Sequence, residues 1–317
     1  MSVLIYIESR DGAFKKNYLE TICYGVAVAQ KLGVAAEVIA EGTSGSDLSE
    51  LGRYGITKIY KVDSAEPLSQ AQIIKTIENA VKNTAAEILI FSQNATSKAI
   101  AGELAATLEA GIVTGVVALP DTENGFVAKK AIYAGKAFAY VKINSPVKII
   151  TVNPNVYKLV EAPVQATVEE LPPGDAPSRI KVTDRVKNTA AVPLNEAEKV
   201  VAGGMGLKGP ENWQIVTDLA DALGAAAACS RPVSDSGWRP HQEHVGQTGM
   251  QIAPALYVAV GISGAIQHLG GVNRSKFIAA INKDPEASIF KVADFGMVGD
   301  LFEIVPKLTE AIKKAKS

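Results

Sequence analysis

Leu256-Tyr-Val-Ala-Val-Gly-Ile-Ser-Gly-Ala-Ile-Gln-His-Leu269 is the stretch on which the reading of the fold turns. Its first five residues are apolar at every position, without the polar alternation of a half-exposed strand, so they read as a central strand covered on both faces. Gly261-Ile-Ser-Gly264 then breaks the run, and Ala265-Ile-Gln-His-Leu269 starts a helical pattern. A strand, a small-residue turn and a helix in that order form the opening of a parallel α/β unit.

Working outward, the same grammar recurs. Lys199–Ala202 reads as a buried strand, followed by a helix over Asn212–Leu223, an Ala-rich strand over Ala225–Cys229, and further strands at Phe277–Ile281 and around Val292. A terminal helix over Leu301–Lys316 ends in Lys313-Lys-Ala-Lys316, cations placed where the helix dipole favours them. Towards the N-terminus, strands are expected at Val3–Glu8, Ala36–Ala40, Lys58–Val62, Glu87–Phe91, Ile112–Val117 and Lys148–Val152, with amphipathic helices over Tyr18–Leu32 and Leu68–Asn83. Asn124-Gly125, between Ile112–Leu119 and Phe126–Tyr133 and followed by Ala137–Ile143, reads as an antiparallel hairpin or meander. Val168-Glu-Glu-Leu-Pro-Pro-Gly-Asp-Ala-Pro-Ser178 reads as a boundary segment too polar to pack as an element. Beyond it, Arg179–Val186 fits one more strand and Lys187–Glu198 a connector. The expected fold class is α/β, with two domains that each carry a mainly parallel sheet flanked by helices, the second doubly wound and Rossmann-like. The division falls between residues 1–193 and 194–317.

Composition narrows the function classes. The 32 basic and 33 acidic residues of this 317-residue chain nearly cancel, so no electrostatic footprint for nucleic acid or anionic membrane is present. Cys23 and Cys229 both lie in apolar runs, which suits free buried thiols in a reducing compartment. No cationic stretch followed by an apolar segment precedes Val3–Glu8, and no apolar run approaches membrane-spanning length, so a soluble, cytoplasmic protein is expected.

Glycines, side-chain donors and carboxylates gather directly after the strands of the second domain. They are Gly203-Gly-Met-Gly206, Ser230 and Arg231, Gly261–His268, Asn282-Lys-Asp284, and Gly299-Asp300. In an open parallel sheet that edge is where ligands bind, which points to a nucleotide or cofactor crevice. Gly261–Gly264 suits either a pyrophosphate lying on first-turn amides or a tight strand-to-helix turn; only G-x-x-G is present, not the dinucleotide G-x-G-x-x-G. The cluster at Gly203–Gly206 is explained by steric need alone. Arg231 suits either contact with a planar anionic ring or a salt bridge to Asp235 or Asp294. Trp238–Gln251 is a long insert in which Gly246-Gln-Thr-Gly249 reads as a turn aiming Gln247 and Thr248. Its His241, Glu243 and His244 lack the further ligand a zinc site needs, so no metal is expected. The first domain has no phosphate loop after Val3–Glu8 and reads as a scaffold or partner surface.

Cys229-Ser-Arg-Pro232, Val245-Gly-Gln-Thr-Gly249, Leu256–Leu269, Ala280-Ile-Asn-Lys-Asp-Pro-Glu-Ala287 and Ala293-Asp-Phe-Gly-Met-Val-Gly-Asp-Leu301 together resemble, in order and spacing, the C-terminal domain of electron-transfer flavoprotein α subunits. The N-terminal half is similar to that family's first domain in layout. The resemblance implies FAD held by the second domain, a β-subunit partner, and a redox carrier in place of an enzyme with its own substrate. It implies electrons taken from flavin dehydrogenases, acyl-CoA dehydrogenases of fatty-acid β-oxidation among them, and passed to a membrane quinone reductase. A bifurcating branch using NADH and a second FAD in the β subunit stays open, as does, from another class, a nicotinamide-dependent dehydrogenase. It also implies cofactor contacts, with no catalytic or metal residue. Ser263, Gly264, Ala265, Ile266, Gln267 and His268 take the pyrophosphate and ribityl region, with His268 reaching the flavin pyrimidine edge. Thr248 lies near flavin N5 and Arg231 against the isoalloxazine ring, Asn282 and Asp300 hold the adenosine part, and Ser230, Val245, Gly246, Gln247 and Leu301 are further cofactor contacts. A cation at Arg231 and donors at Thr248 and His268 would stabilise negative charge on a reduced ring. One departure is Met205, where the family usually has arginine in Gly-Gly-Arg-Gly.

Overall fold

A computed structural model of the chain describes residues 2–10, 12–43, 47–64, 67–178, 180, 182–183, 194 and 196–316. It divides into two compact units, residues 1–132 with 136–186, and residues 133–135 with 187–317.

In the first unit the alternating apolar runs become β1 (Ser2–Arg10), the short β2 (Ala13–Phe14), α1 (Lys16–Leu32), β3 (Ala35–Glu41), β4 (Lys58–Val62), α2 (Gln70–Thr84), β5 (Ile88–Ser92) and α3 (Ala95–Thr107). They are followed by β6 (Gly111–Val116), β7 (Phe126–Ile132), β8 (Ala137–Ile143), β9 (Lys148–Val152) and β10 (Thr167–Glu170). Among the described residues the sheet order is β10-β4-β3-β1-β5-β9-β6-β7-β8, with β2 pairing β1. It is parallel from β10 to β6 and antiparallel through β6, β7 and β8, as the Asn124-Gly125 turn implied. Alternate residues of β1 face opposite cores. Val3, Ile5 and Ile7 pack with Ile22 and Val26 of α1, while Leu4 and Tyr6 pack on the side of Ile77 of α2 and Ile100 of α3. Ser69 and Gln72 form a reciprocal capping box that starts α2.

Two expectations are corrected. The acidic boundary segment is not wholly without structure, since Thr167–Glu170 is the edge strand β10, paired with β4. It packs through backbone pairing and charge: Glu169 lies 2.9 Å from Lys58 and Glu170 lies 3.2 Å from Lys61. Leu171 is buried just beyond it. Because the strand buries no side chain of its own, an apolar-run reading passes over it. The other correction concerns the last strand, which lies at Phe295–Val298 and not around Val292. Val292 instead closes the 3-10 turn Ser288–Lys291, donating its N–H to the Ile289 carbonyl. The strand expected over Arg179–Val186 lies largely outside the described residues.

The second unit contains β11 (Lys199–Gly203), α4 (Gln214–Leu223), β12 (Ala226–Cys229), α5 (Arg231–Asp235), β13 (Leu256–Val260), α6 (Ile266–Val272), β14 (Phe277–Asn282), β15 (Phe295–Val298) and α7 (Leu301–Lys316). All of its strand pairs are parallel, in the order β12-β11-β13-β14-β15. Val216 and Leu219 of α4 and Val305 of α7 cover one face, and Val272 of α6 with Val245, Ile252 and Ile289 covers the other. Helices on both faces and the chain reversal between β11 and β13 make this a doubly wound sheet of the 2-1-3-4-5 kind. Cys23 and Cys229 are free and buried.

Ile90 has no solvent exposure and lies in β5, beside the central strand β1. Ile90→Ala should destabilise the first unit by about 2–5 kcal/mol, seen as a lowered denaturant midpoint at an unchanged slope.

Candidate cofactor site at the strand ends of the second unit

Hydrogen bonding continues past the strand ends into the loops. Gly204 donates its N–H to the Val260 carbonyl at 2.9 Å, Ser230 to Gly203 at 3.0 Å, Gly261 to Ile281 at 2.9 Å, and Gly299 to Asn282 at 3.0 Å. The loops therefore form one edge instead of five independent turns. At its centre, where the connections reverse between β11 and β13, Gly206 donates to the Gly261 carbonyl at 3.0 Å. A Cβ on Gly204 would collide with that same carbonyl, and one on Gly206 would lie 2.7 Å from Gly261 Cα. Gly261 has φ +65° and Gly264 has φ +82°, the left-handed region that favours glycine. The glycines at Gly203–Gly206 thus serve the close approach of two loops, a steric need. Met205 stands on the outside of that loop, 45% exposed.

The turn after β13 leaves Ser263, Ala265, Ile266 and Gln267 exposed, Ile266 to 73%. Gly264 is pressed against the Ile289 backbone, and Ile289 donates its N–H to the Ser263 carbonyl at 3.0 Å. Asn282 braces the same turn: its Nδ2 donates to the Ile262 carbonyl at 2.9 Å and its Oδ1 accepts from the Asp284 N–H at 3.1 Å. Asp300 caps α7 by accepting the Phe302 N–H at 2.9 Å, while Leu301 is buried against Gly261.

On the other side of β11, Ser230 is buried at the start of α5. Arg231, the next residue, is exposed, and its Nε reaches Asp235 Oδ2 at 3.2 Å, one of the ion pairs its sequence position allows. Such an exposed pair stabilises by at most about 1 kcal/mol and leaves most of the guanidinium free to turn elsewhere. The insert then folds back, with Val245 donating to the Cys229 carbonyl at 3.0 Å and Gln247 to the Gln267 carbonyl at 2.7 Å. Gly246 lies against Gly271, so the Gln247-Thr248 tip, both residues exposed, stands beside α6. Arg239 and Glu243 hold the insert in shape through two bonds of 2.7 and 2.5 Å, with the guanidinium over the Trp213 ring.

Two buried histidines lie beside this edge. His268 is 7% exposed and His244 2%, and the Nδ1 of each has no hydrogen-bond partner. Burial, and next the neighbouring His244, push the His268 imidazole down from 6.5 to about 4; the Val245 carbonyl works the other way without being aligned for a bond. His244 is lowered too, first by burial and then by His241. Burial pushes the Cys229 thiol up to about 12, with Glu243 acting in the same direction, so it is no thiolate at neutral pH. Sequence reasoning missed Tyr257, whose buried hydroxyl lies 2.7 Å from His268 Nε2. A lone aromatic in an aliphatic strand was the available signal, because a buried phenol needs a partner.

Residues 3–176 match a family model described as the electron transfer flavoprotein domain, and residues 193–273 match the electron transfer flavoprotein FAD-binding domain. The chain belongs to the electron transfer flavoprotein α-subunit family. It is 37% identical over 322 residues to the electron transfer flavoprotein subunit alpha of Bacillus subtilis (strain 168), covering 98% of this chain and 97% of that one. It is 38% identical over 323 residues to the subunit alpha of Syntrophomonas wolfei subsp. wolfei, covering 98% of each. The subunit alpha of Paracoccus denitrificans is 36% identical over 316 residues, covering 98% of this chain and 99% of that one.

The cofactor of this family's FAD-binding domain is FAD, and the edge described above suits it. The exposed guanidinium of Arg231, the exposed Ser263 and Ala265 on either side of Gly264, and the unpartnered Nδ1 of His268 are groups of the kind that suit an anionic, carbonyl-rich dinucleotide. Among the described residues there is no cluster of three or more His, Cys, Asp or Glu arranged to hold a metal, and no helix long and apolar enough to cross a membrane.

The depressed His268 value has a thermodynamic consequence. Unfolded, the ring takes its proton near pH 6.5; folded, it does so only near pH 4. Below about 6.5 the unfolded chain binds more protons, so stability falls as pH drops towards about 4, by roughly 3 kcal/mol in all. Denaturant midpoints measured across that window should show the slope, and His268→Gln should flatten it. An equally steep slope in that variant would remove His268 as its cause.

Proposed function

We propose that this chain is the α subunit of a heterodimeric electron carrier, which takes electrons from flavin dehydrogenases such as the acyl-CoA dehydrogenases of β-oxidation and passes them to a membrane quinone reductase. In this reading residues 1–193 act as scaffold and subunit-interface domain, residues 194–317 hold FAD, and the protein works in the cytoplasm. The observation that carries it is the convergence of Arg231, the Gln247-Thr248 tip and buried His268 beside the glycine-built centre of the strand-end edge.

FAD supplies the redox chemistry when bound; the chain's own residues bind and tune it. The exposed turn from Ser263 through Ala265, Ile266 and Gln267 lies against the pyrophosphate and ribityl chain, and Gly264 keeps that turn close to the 3-10 turn at Ser288–Lys291. Asn282 retains one donor and one acceptor position beyond its two internal bonds, and with Asp300 and Leu301 it shapes the adenosine side. Ser230 and Val245–Thr248 flank the ring. Arg231 brings a positive charge to it, and Asp235 limits that side chain's freedom without burying the charge. A cation and aligned donors favour the electron-rich form of a ring held in a low-dielectric site.

The partner role has support in the second unit's outer face. Phe295, Met297 and Val298 of β15 are 63%, 53% and 55% exposed, and beside them an apolar groove of about 890 Å³ runs between the sheet and α7, lined by Leu223, Val258, Ile304 and Ile312 among others. An apolar groove next to an open strand edge suits a permanent subunit contact.

Co-expression with a β subunit should yield a yellow heterodimer that releases FAD on denaturation; a colourless heterodimer would refute the carrier role. In that heterodimer Arg231→Ala should lower the flavin reduction potential by tens of millivolts, because the reduced ring loses its counter-charge. An unchanged potential would mean that Arg231 does not face the ring.

A further inference from the structure

Tyr257 is completely buried in β13, and the one hydrogen-bond partner of its hydroxyl among the described residues is His268 Nε2, at 2.7 Å. The ring centroids lie 6.0 Å apart at 47°, so the contact is made edge to edge through the polar atoms, without stacking. A buried O–H must donate, because an undonated buried proton costs the full desolvation of the group. Burial raises the phenol's pKa well above its ordinary value, so the proton stays on oxygen. The imidazole is neutral at pH 7, which leaves it one N–H and one lone pair.

These constraints have one consistent solution. The phenol donates to Nε2, Nε2 carries the lone pair, and the hydrogen resides on Nδ1. That is the nitrogen with no partner of acceptable geometry in the chain. The reverse arrangement, Nε2–H donating to the phenol oxygen, would strand the tyrosine hydrogen in the apolar cluster of Val200, Val245, Ile278 and Val272.

We propose that Tyr257 is a positioning residue that locks His268 as the neutral Nδ1–H tautomer, so that the histidine meets the flavin as a hydrogen-bond donor and not as a cation. The inference rests on the reading that His268 faces the FAD ring. It assigns the two halves of the ring's environment different tasks: Arg231 contributes charge, and His268 contributes a directed donor without charge. The bond between Tyr257 of β13 and His268 of α6 thus ties the second unit's core to the cofactor.

The test uses the αβ heterodimer carrying FAD, with isotope-labelled histidine and long-range proton–nitrogen correlation spectra that tell the two ring nitrogens apart. The chain has three histidines, so the His268→Gln variant assigns the signals. The expected result is an excess of the Nδ1–H form of roughly tenfold, the worth of one buried hydrogen bond. Tyr257→Phe, which keeps the packing ring, should erase that excess while FAD stays stoichiometric, and should shift the flavin reduction potential. An Nε2–H form in the unsubstituted protein, or a tautomer ratio unchanged in Tyr257→Phe, overturns the inference. His268 signals identical with and without FAD overturn it through its premise, and that outcome is recognisable because the tautomer ratio would still respond to Tyr257→Phe.

Discussion

The close approach of Gly204 and Gly206 to Gly261 is the contact on which the second unit's chemistry depends. Two loops that leave neighbouring parallel strands normally diverge, since their helices pack on opposite faces of the sheet. Here they are held backbone to backbone by the bonds from Gly204 to Val260 and from Gly206 to Gly261, a separation that no Cβ permits. The cost is conformational: glycines lose more backbone freedom on folding than other residues. In return the turn after β13 is fixed from one side by glycines and from the other by Ile289 and Asn282. The exposed residues between those supports, Ser263 and Ala265 to Gln267, are therefore held in place without packing of their own.

From that fixed centre the polar groups fall into two kinds. Arg231, Gln247 and Thr248 are exposed and adjustable, while His244 and His268 are buried, the Nδ1 of each without a hydrogen-bond partner. Buried orphans are uncommon because desolvating a polar atom without a partner is costly. The two histidine nitrogens are orphans of this kind, His244 in the insert and His268 on α6. The Arg239–Glu243 pair over Trp213 keeps the insert in that arrangement through two parallel bonds. The two units differ in this respect. The first closes its sheet with an antiparallel meander and an ion-paired edge strand, so its order comes from packing and charge.

Legibility in the sequence followed burial. The strands β9 and β13 and the helix α7 were readable to the residue, because continuous apolar runs and an amphipathic period have no other economical explanation. β10 was not, since its side chains are all exposed and its pairing rests on backbone bonds and lysines distant in sequence. β15 was placed too early because Val292 looked like a strand residue, whereas Asp294, whose N–H and carboxylate bond the Ile278 backbone, sets where pairing begins. Among the site residues, the glycines and Arg231 stood out by type and position, and Asn282 and Asp300 by their place after strands. Their individual partners could not be read, because the Ile262 carbonyl and the Phe302 amide are set by turn geometry and not by residue type.

By itself, then, the sequence determined a doubly wound parallel sheet and the gathering of its polar residues at one edge, because strand burial and strand-end turns are local consequences of residue order. Only the tertiary structure decided that Gly203–Gly206 serves a loop contact, that Arg231 is tethered by Asp235, and that Tyr257 and His268 meet in the core. Those are distances between residues that the chain brings together only by folding, and no spacing along it encodes which nitrogen of an imidazole is left without a partner.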